Sequence, residues 1–359
     1  MTNINTMMNQ GIAGAVRTAA RFYLRSPQGR KAAAQMIPAM REKARLRAAH
    51  EAQGLHVPPF LIASIASQCN LRCAGCYAHE GGACASKAPD MTAAEWTAVF
   101  EEASGLGVSM IMLAGGEPMM RPDVLDRAAM HKTMLFPIFT NGTMMDREAM
   151  DFFDENRHMV PVFSVEGEAA DTDARRGDGV AAAVRTAMQA LVARGILYGV
   201  SITVTRENLQ AVTDAGFVRS LQAEGCGLVF YVEYVPAQAG TDHLVLTEAD
   251  CDVLAQAVEA HRKSLKRMIV ISFPGDEAAM GGCLAAGRGF FHINPAGGAE
   301  PCPFSPYSKH SLKNSTLVEV MQSGYFEQIR ALNAAEALHQ GGCSLFRQQD
   351  AVVSLVAQM

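Results

Sequence analysis

The chain has 359 residues, 49% of them hydrophobic and 19% charged, with a formal net charge of −5. That length holds two or three domains, or one α/β barrel with additions, and the mild acidity argues against a nucleic-acid partner, whose binding face is strongly basic. No apolar run approaches the ~20 residues that span a bilayer, and the amino terminus lacks the pattern of an export signal, so a cytoplasmic location is expected.

Residues 1–56 read as a basic helical leader, with nine Lys and Arg against one acid, Glu42, in the first 50 positions. Ile12, Val16, Ala20 and Tyr23 fall on one helical face, and Arg17, Arg21 and Arg25 on the other. Such a helix either packs on the body of the protein or lies weakly on an anionic membrane surface. Pro58 and Pro59 end it and force an extended entry into the next element.

Strands are predicted near Phe60–Ser67, Ser109–Ala114, Leu135–Thr140, Val160–Val165, Leu197–Thr205 and Leu228–Val235. Helices are predicted between them at Ala93–Leu106, Pro122–His131, Asp146–Asn156, Val180–Arg194 and Leu209–Ala223. Thr92 followed by Glu95 is a capping box, and Gly195 and Gly225 stand where left-handed caps favour glycine. Six β–α alternations imply a parallel sheet with right-handed crossovers, curled into a partial barrel. The barrel is expected over 57–240, a connecting helix and strand over 241–282, and a separate carboxyl-terminal domain over 283–359. Active sites of such barrels lie at the carboxyl ends of the strands.

Nine cysteines without an export signal predict thiols that bind metal or do redox chemistry rather than pair as disulfides. Cys69, Cys73 and Cys76 lie on one loop just past the first strand. Three thiolates so spaced bind three corners of an iron–sulfur cube and leave one iron without a protein ligand. A zinc site completed by His79 is the alternative, though structural zinc prefers paired Cys-x2–4-Cys units.

The spacing CX3CX2C with Tyr77 directly after it resembles the radical S-adenosylmethionine (SAM) superfamily. Gly115-Gly116-Glu117-Pro118 after the second strand, Thr140-Asn141-Gly142 after the third and Ser164-Val165-Glu166-Gly167 after the fourth match its further landmarks in order. Asp173, Arg175, Arg176 and Gly177 echo the segment that commonly follows, while Glu166 stands where relatives often carry Asp. The resemblance implies a [4Fe–4S] cluster on the three cysteines and SAM chelating the open iron. It also implies an outside reductant such as a flavodoxin or ferredoxin, and 5′-deoxyadenosyl radical chemistry. It assigns the SAM amino group to the backbone of Gly115 and Gly116 and the side chain of Glu117. Tyr77 is assigned to the adenine, and Ser164 to the ribose or carboxylate.

A second group begins at Cys283, runs through a predicted hairpin (Arg288–Ile293, turn Asn294–Gly298, return to Glu300) and closes at Cys302, with Cys343 far downstream. The hairpin brings Cys283 and Cys302 together at its open end. The glycine and proline context resembles the SPASM or shorter twitch extension, which implies a second, auxiliary [4Fe–4S] cluster. Phe346 stands where some relatives place a fourth cysteine. Cys84 is a reserve candidate for that ligand, and Cys226 and Cys251 read as packing thiols. His292 and His310 read as packing or surface histidines with a secondary reading as proton carriers, and Glu233 and Tyr234 as candidates to face the substrate. The expected function is that of a radical SAM oxidoreductase or carbon-bond-forming enzyme acting on a small molecule. A peptide-modifying enzyme is the alternative, and a non-catalytic iron–sulfur scaffold the third reading.

Overall fold

The computed structural model describes residues 8, 11, 13–14, 16, 18–19, 22–24, 27–85, 87–334 and 343–358. A long helix, α1 (Pro27–Ala52), precedes the first strand. The alternation then runs β1 (Phe60–Ala66), α2 (Ala93–Leu106), β2 (Met110–Gly115), α3 (Pro122–Ala129), β3 (Phe136–Thr140), α4 (Arg147–Glu155) and β4 (Met159–Val165). It continues with α5 (Ala169–Arg176), α6 (Val180–Ala193), β5 (Gly199–Val204), α7 (Leu209–Thr213), α8 (Ala215–Ala223) and β6 (Leu228–Glu233). The six expected strands are present within two residues at each end. The Thr92–Glu95 capping box forms, and Gly107 closes α2 in the left-handed region.

Three differences have local causes. The expected helix Leu209–Ala223 is two helices, because the Asp214 carboxylate accepts from the Gly216 and Phe217 amides and starts α8 afresh. The short, polar α5 buries only Thr172, so it carries no apolar stripe to announce it. A further helix, α9 (Glu248–Ser264), leads to β7 (Ile269–Phe273), which joins the sheet beside β6 as a seventh parallel strand rather than remaining a connector.

β1 to β7 pair in order and in parallel. The expected hairpin forms as β8 (His292–Ile293) and β9 (Gly298–Glu300), with a short β10 (His310–Ser311) at the edge. β8 pairs with β1, Ile62 opposite His292, so the carboxyl-terminal segment extends the sheet at its first strand. One sheet face is sealed beneath the helices: Ala63, Ile65, Ile111, Leu113 and Ile138 are wholly buried. The opposite face carries half-buried Phe60, Met110, Phe139, Val232 and Phe273. There Phe139 of β3 meets Phe230 of β6 with ring centroids 5.4 Å apart, although two strands lie between, so the sheet curls around this face. Phe290 spans the gap between first and last strands, 5.2 Å from Phe60 and 5.7 Å from Phe273. The remaining elements are α10 (Leu317–Met321), α11 (Gly324–Ala334), α12 (Ser344–Arg347) and α13 (Gln349–Gln358).

The leader packs against the amino-terminal end of the barrel. Tyr23 lies with Ala33, Val160 and Leu197, and its hydroxyl donates to the Arg157 carbonyl at 2.6 Å. Val16 lies with Met36, Met40 and Leu135. These contacts bury Val16 and Tyr23, two residues of the leader's apolar face, against the body of the protein. Ile12, Ala20, Arg17, Arg21 and Arg25 lie outside the described residues. Among the described residues no helix is long and apolar enough to cross a membrane.

Two buried cations clip α1 to α2. The Lys43 ammonium donates to the Ser104 carbonyl and hydroxyl, and the Arg47 guanidinium to the Gly107 carbonyl and to Ser109 Oγ at 2.7 Å. These oxygens cluster at the negative pole of α2, where cations are favoured. Burial lowers the Arg47 pKa to about 10. Arg47→Met would strand both oxygens, and the expected cost is about 1–3 kcal/mol, read as a lower denaturation midpoint with unchanged slope.

Candidate functional site

The loop leaving β1 carries Cys69, Cys73 and Cys76, all half-buried. It is held by backbone that has no room for side chains. A Cβ on Gly116 would stand 2.1 Å from the Gln68 carbonyl oxygen and 3.0 Å from the Cys69 nitrogen. Gly115 needs its left-handed φ of 127°, and a Cβ there would meet the Ala66 carbonyl at 2.5 Å. The glycine turn after β2 is therefore pressed onto the cysteine loop. The Glu117 amide donates to Gln68 at 2.8 Å.

Glu117 itself faces inward, 1% exposed. Its carboxylate accepts from the Met119 amide (3.0 Å), Thr140 Oγ1 (2.8 Å) and the Asn141 amide (2.8 Å). Burial raises its pKa, and these three donors pull it back. Its placement is beneath the turn, so it anchors the Thr140–Asn141–Gly142 loop. Asn141 then donates to Asn70 Oδ1 at 2.8 Å, and Asn70 to Thr143 Oγ1 at 2.8 Å, which ties the loop after β3 to the cysteine loop.

The loop after β4 approaches from the other side. Ser164 is half-buried at the carboxyl end of β4, in register with Ser201 of β5. Glu166 is 3% exposed and accepts from Arg175 (2.7 Å) and from Arg176 Nε (2.8 Å), so both arginines of α5 turn inward. Arg175 also donates to the Ala74 carbonyl, and the Ala74 amide returns a bond to the Arg175 carbonyl at 2.9 Å. The Arg176 cation is stabilised by Glu166 first and then by Cys73 and Cys76. The arginine pair was legible only as an echo of a motif; the contact of Arg175 with Ala74, on the cysteine loop, depends on the unforeseen α5.

Tyr77 turns its ring edge-on to Phe304, 5.0 Å between centroids, so the segment after Cys76 meets the segment after Cys302. Burial raises its pKa far above the ordinary tyrosine value, and the charges of Cys76, Cys84, Cys302 and Glu300 add to the rise. Tyr234 occupies the space that Gly75 leaves: a Cβ on Gly75 would lie 2.5 Å from the Tyr234 hydroxyl oxygen. Glu233 points to the helical side, where Cys251 Sγ donates to it. His79 bonds the Leu71 carbonyl at 3.2 Å.

Cys302 and Cys343 are buried and Cys283 half-buried, and the three thiols lie within electrostatic reach of one another. Burial pushes the Cys283 and Cys302 thiols well above their ordinary pKa, and the neighbouring sulfurs add to the rise. The Ala285 amide and Ser344 hydroxyl partly offset the rise at Cys283, as the Phe304 amide does at Cys302. The Leu71 amide donates to Cys69 Sγ at 3.5 Å. Cys84 lies with the first group, its pKa pushed up to about 12 by burial and by Cys76 and Cys69. His292 is fully engaged, Nε2 with Ser64 Oγ (2.8 Å) and Nδ1 with Glu300 (2.6 Å), and so pins the hairpin to β1. His310 sits on the edge strand opposite Ala299.

A parallel partial barrel with a three-cysteine loop, a glycine turn pressed onto it and further loops at the same strand ends defines the class of enzymes that bind SAM on a [4Fe–4S] cluster. Residues 64–215 match the family model described as the Radical SAM superfamily, so the chain carries a radical SAM domain over those residues. It is 26% identical over 255 residues to a PqqA peptide cyclase of Gluconobacter oxydans, covering 68% of this chain and 70% of that one. It is also 25% identical over 318 residues to an AdoMet-dependent heme synthase of Methanosarcina barkeri, covering 80% of this chain and 88% of that one. Streptococcus suis SuiB bound to its precursor peptide SuiA shares the fold, with a TM-score of 0.66, 16% identity, and coverage of 84% of this chain and 76% of that one.

Gly116→Ala forces a Cβ into the Gln68 carbonyl and so displaces the cysteine loop. The expected result is a folded protein that loses iron from this loop on reconstitution, measured by iron content against circular dichroism.

Proposed function

We propose that this chain is a radical SAM enzyme that modifies a peptide, with Cys69, Cys73 and Cys76 holding the SAM-binding cluster and Cys283, Cys302 and Cys343 holding an auxiliary one. The iron–sulfur part is supported by the match of residues 64–215 to the Radical SAM superfamily, which includes the cysteine loop, and by three desolvated thiols from distant positions within electrostatic reach of one another. Buried thiols of raised pKa ionise when a metal takes them as ligands, and donors to the sulfurs tune such clusters. The peptide part rests on the similarity to a PqqA peptide cyclase over more than two thirds of both chains. The precursor-bound state of SuiB shows that this fold accommodates a peptide.

The cluster and SAM, when bound, supply a 5′-deoxyadenosyl radical that takes a hydrogen atom from substrate. The chain's own residues bind and orient. The backbone of Gly115 and Gly116 forms the wall beside the cysteine loop, and Glu117 holds that wall to the loop after β3. Arg176, beside Cys73 and Cys76, offers a cation to the carboxylate of SAM, and Ser164 offers a hydroxyl nearby. Tyr234 covers the cysteine loop at Gly75. The apolar inner face of the barrel keeps water from the reacting atoms.

A second reading, a small-molecule substrate of the porphyrin kind, is favoured by the heme synthase relative, which matches more of both chains. Anaerobic reconstitution with SAM and dithionite decides between them. Peptides encoded beside the gene are expected to raise 5′-deoxyadenosine release and to pass deuterium into it. If iron porphyrins do so and the peptides do not, the second reading replaces the first.

Two cysteine variants separate the clusters. Cys69→Ala with Cys73→Ala and Cys76→Ala is expected to abolish 5′-deoxyadenosine release. Replacing Cys283, Cys302 and Cys343 by Ala is expected to lower iron from about eight to about four per chain, since each cubane holds four. SAM cleavage should persist in that variant while the modified product disappears. Four irons in the intact protein would rule out the auxiliary cluster.

A further inference from the structure

We propose that the Ser305 hydroxyl donates a hydrogen bond to a sulfur of the auxiliary cluster, at its Cys302 corner, and so raises the reduction potential of that cluster. This inference rests on the auxiliary cluster proposed above and adds to it a residue outside the thiolates.

Ser305 is 1% exposed, and its Oγ has no hydrogen-bond partner among the described residues. A hydroxyl shut away from water is costly to leave unpaired, so such a group marks a place where an acceptor belongs. The backbone says which acceptor. Cys302-Pro303-Phe304-Ser305 is a tight turn: the Ser305 amide donates to the Cys302 carbonyl at 2.9 Å, and the two residues form an antiparallel β-bridge. Residues directly opposite in an antiparallel pair send their side chains to the same face, with Cβ atoms roughly 4.5–5.5 Å apart. The Ser305 hydroxyl therefore stands on the same side as the Cys302 thiol, at a separation that one hydrogen bond to a sulfur held there can span. The turn is also fixed from outside. β9, which leads into it, is pinned to β8 by the Glu300–His292 pair. The Ala286 amide donates to the Pro301 carbonyl at 3.1 Å, which joins the segment after Cys283 to the residue before Cys302. Cys302 is itself buried, with Cys343 and Cys283 within its electrostatic reach.

Thiols are weak acceptors, whereas the thiolates and sulfides of a bound cluster carry negative charge and accept strongly. The hydroxyl thus lacks a partner in the iron-free chain and gains one when a cluster is present. Donation suits Ser305 better than ligation to iron, because an oxygen ligand has to shed its proton in a buried site, while a donor stays neutral. A donor to sulfur sets positive charge beside the cluster and favours its reduced, more negative state, so the potential rises.

The test uses the full chain with Cys69, Cys73 and Cys76 replaced by Ala, reconstituted anaerobically with iron and sulfide so that only the auxiliary cluster is built. Redox titration followed by electron paramagnetic resonance reads its potential. Ser305→Ala in this parent is expected to keep about four irons. Its reduction should become about tenfold less favourable, a fall of about 59 mV for one electron. A potential that stays the same or rises overturns the proposal and leaves the auxiliary cluster standing. Loss of one iron in Ser305→Ala makes the residue a ligand and also overturns it. Without iron, Ser305→Ala is expected to unfold at no lower denaturant concentration than its parent, since the hydroxyl bonds nothing in that state. A lower midpoint there, or failure to fold, reveals a partner within the chain and overturns the proposal as well. A parent that binds no iron removes the auxiliary cluster and the role of Ser305 with it.

Discussion

The Glu117 carboxylate is the knot of the barrel's upper end. Hydrogen bonds to a charged group contribute about 1.5–3 kcal/mol each, and this one receives three, from two loops, while almost wholly desolvated. Its own backbone is pinned to Gln68, immediately before Cys69. The loops after β1, β2 and β3 therefore move as one body, and any group bound by the three cysteines inherits that rigidity. A site that handles a reactive radical gains from such preorganisation, because supporting residues locked by packing hold the reacting geometry.

The two cysteine groups are parts of one sheet and one aromatic cluster. The parallel pairing of β8 with β1 sets the carboxyl-terminal hairpin beside the strand that leads to Cys69. Rings then run from Phe60 through Phe290 and Phe273 to Phe304 and Tyr77. Tyr77 directly follows Cys76, and Phe304 lies two residues after Cys302. The gap of the open barrel is thus filled by the same side chains that separate the two groups. The His292–Glu300 pair, with Ser64, fixes that arrangement by buried hydrogen bonds, which carry high stakes in a low dielectric.

The inner face sets a constraint on substrate. Half-buried Phe60, Met110, Phe139, Val232 and Phe273 offer apolar contact, and charge is confined to the rim, where Arg175 and Arg176 answer Glu166. Discrimination among substrates rests with loops at the rim rather than with the barrel wall.

What the sequence determined by itself were the features whose cause is local. Helix caps at Thr92, strand runs of apolar residues, the glycine turn after β2 and the cysteine spacings all act within a few residues, and the structure contains them. The hairpin of His292–Ile293 with Gly298–Glu300 was also legible, because its turn residues lie between its own strands. Features that join distant positions were decided only by tertiary structure. Whether Val16 and Tyr23 met lipid or the barrel depended on the floor formed by Leu135, Val160 and Leu197, residues more than a hundred positions away. Tyr77 faced Phe304 because β8 paired with β1, and Arg175 met the cysteine loop at Ala74 because a helix without an apolar stripe docked there. Sequence carries local propensity and periodicity, whereas the meeting of buried charges and rings depends on strand pairing, and that is a property of the whole sheet.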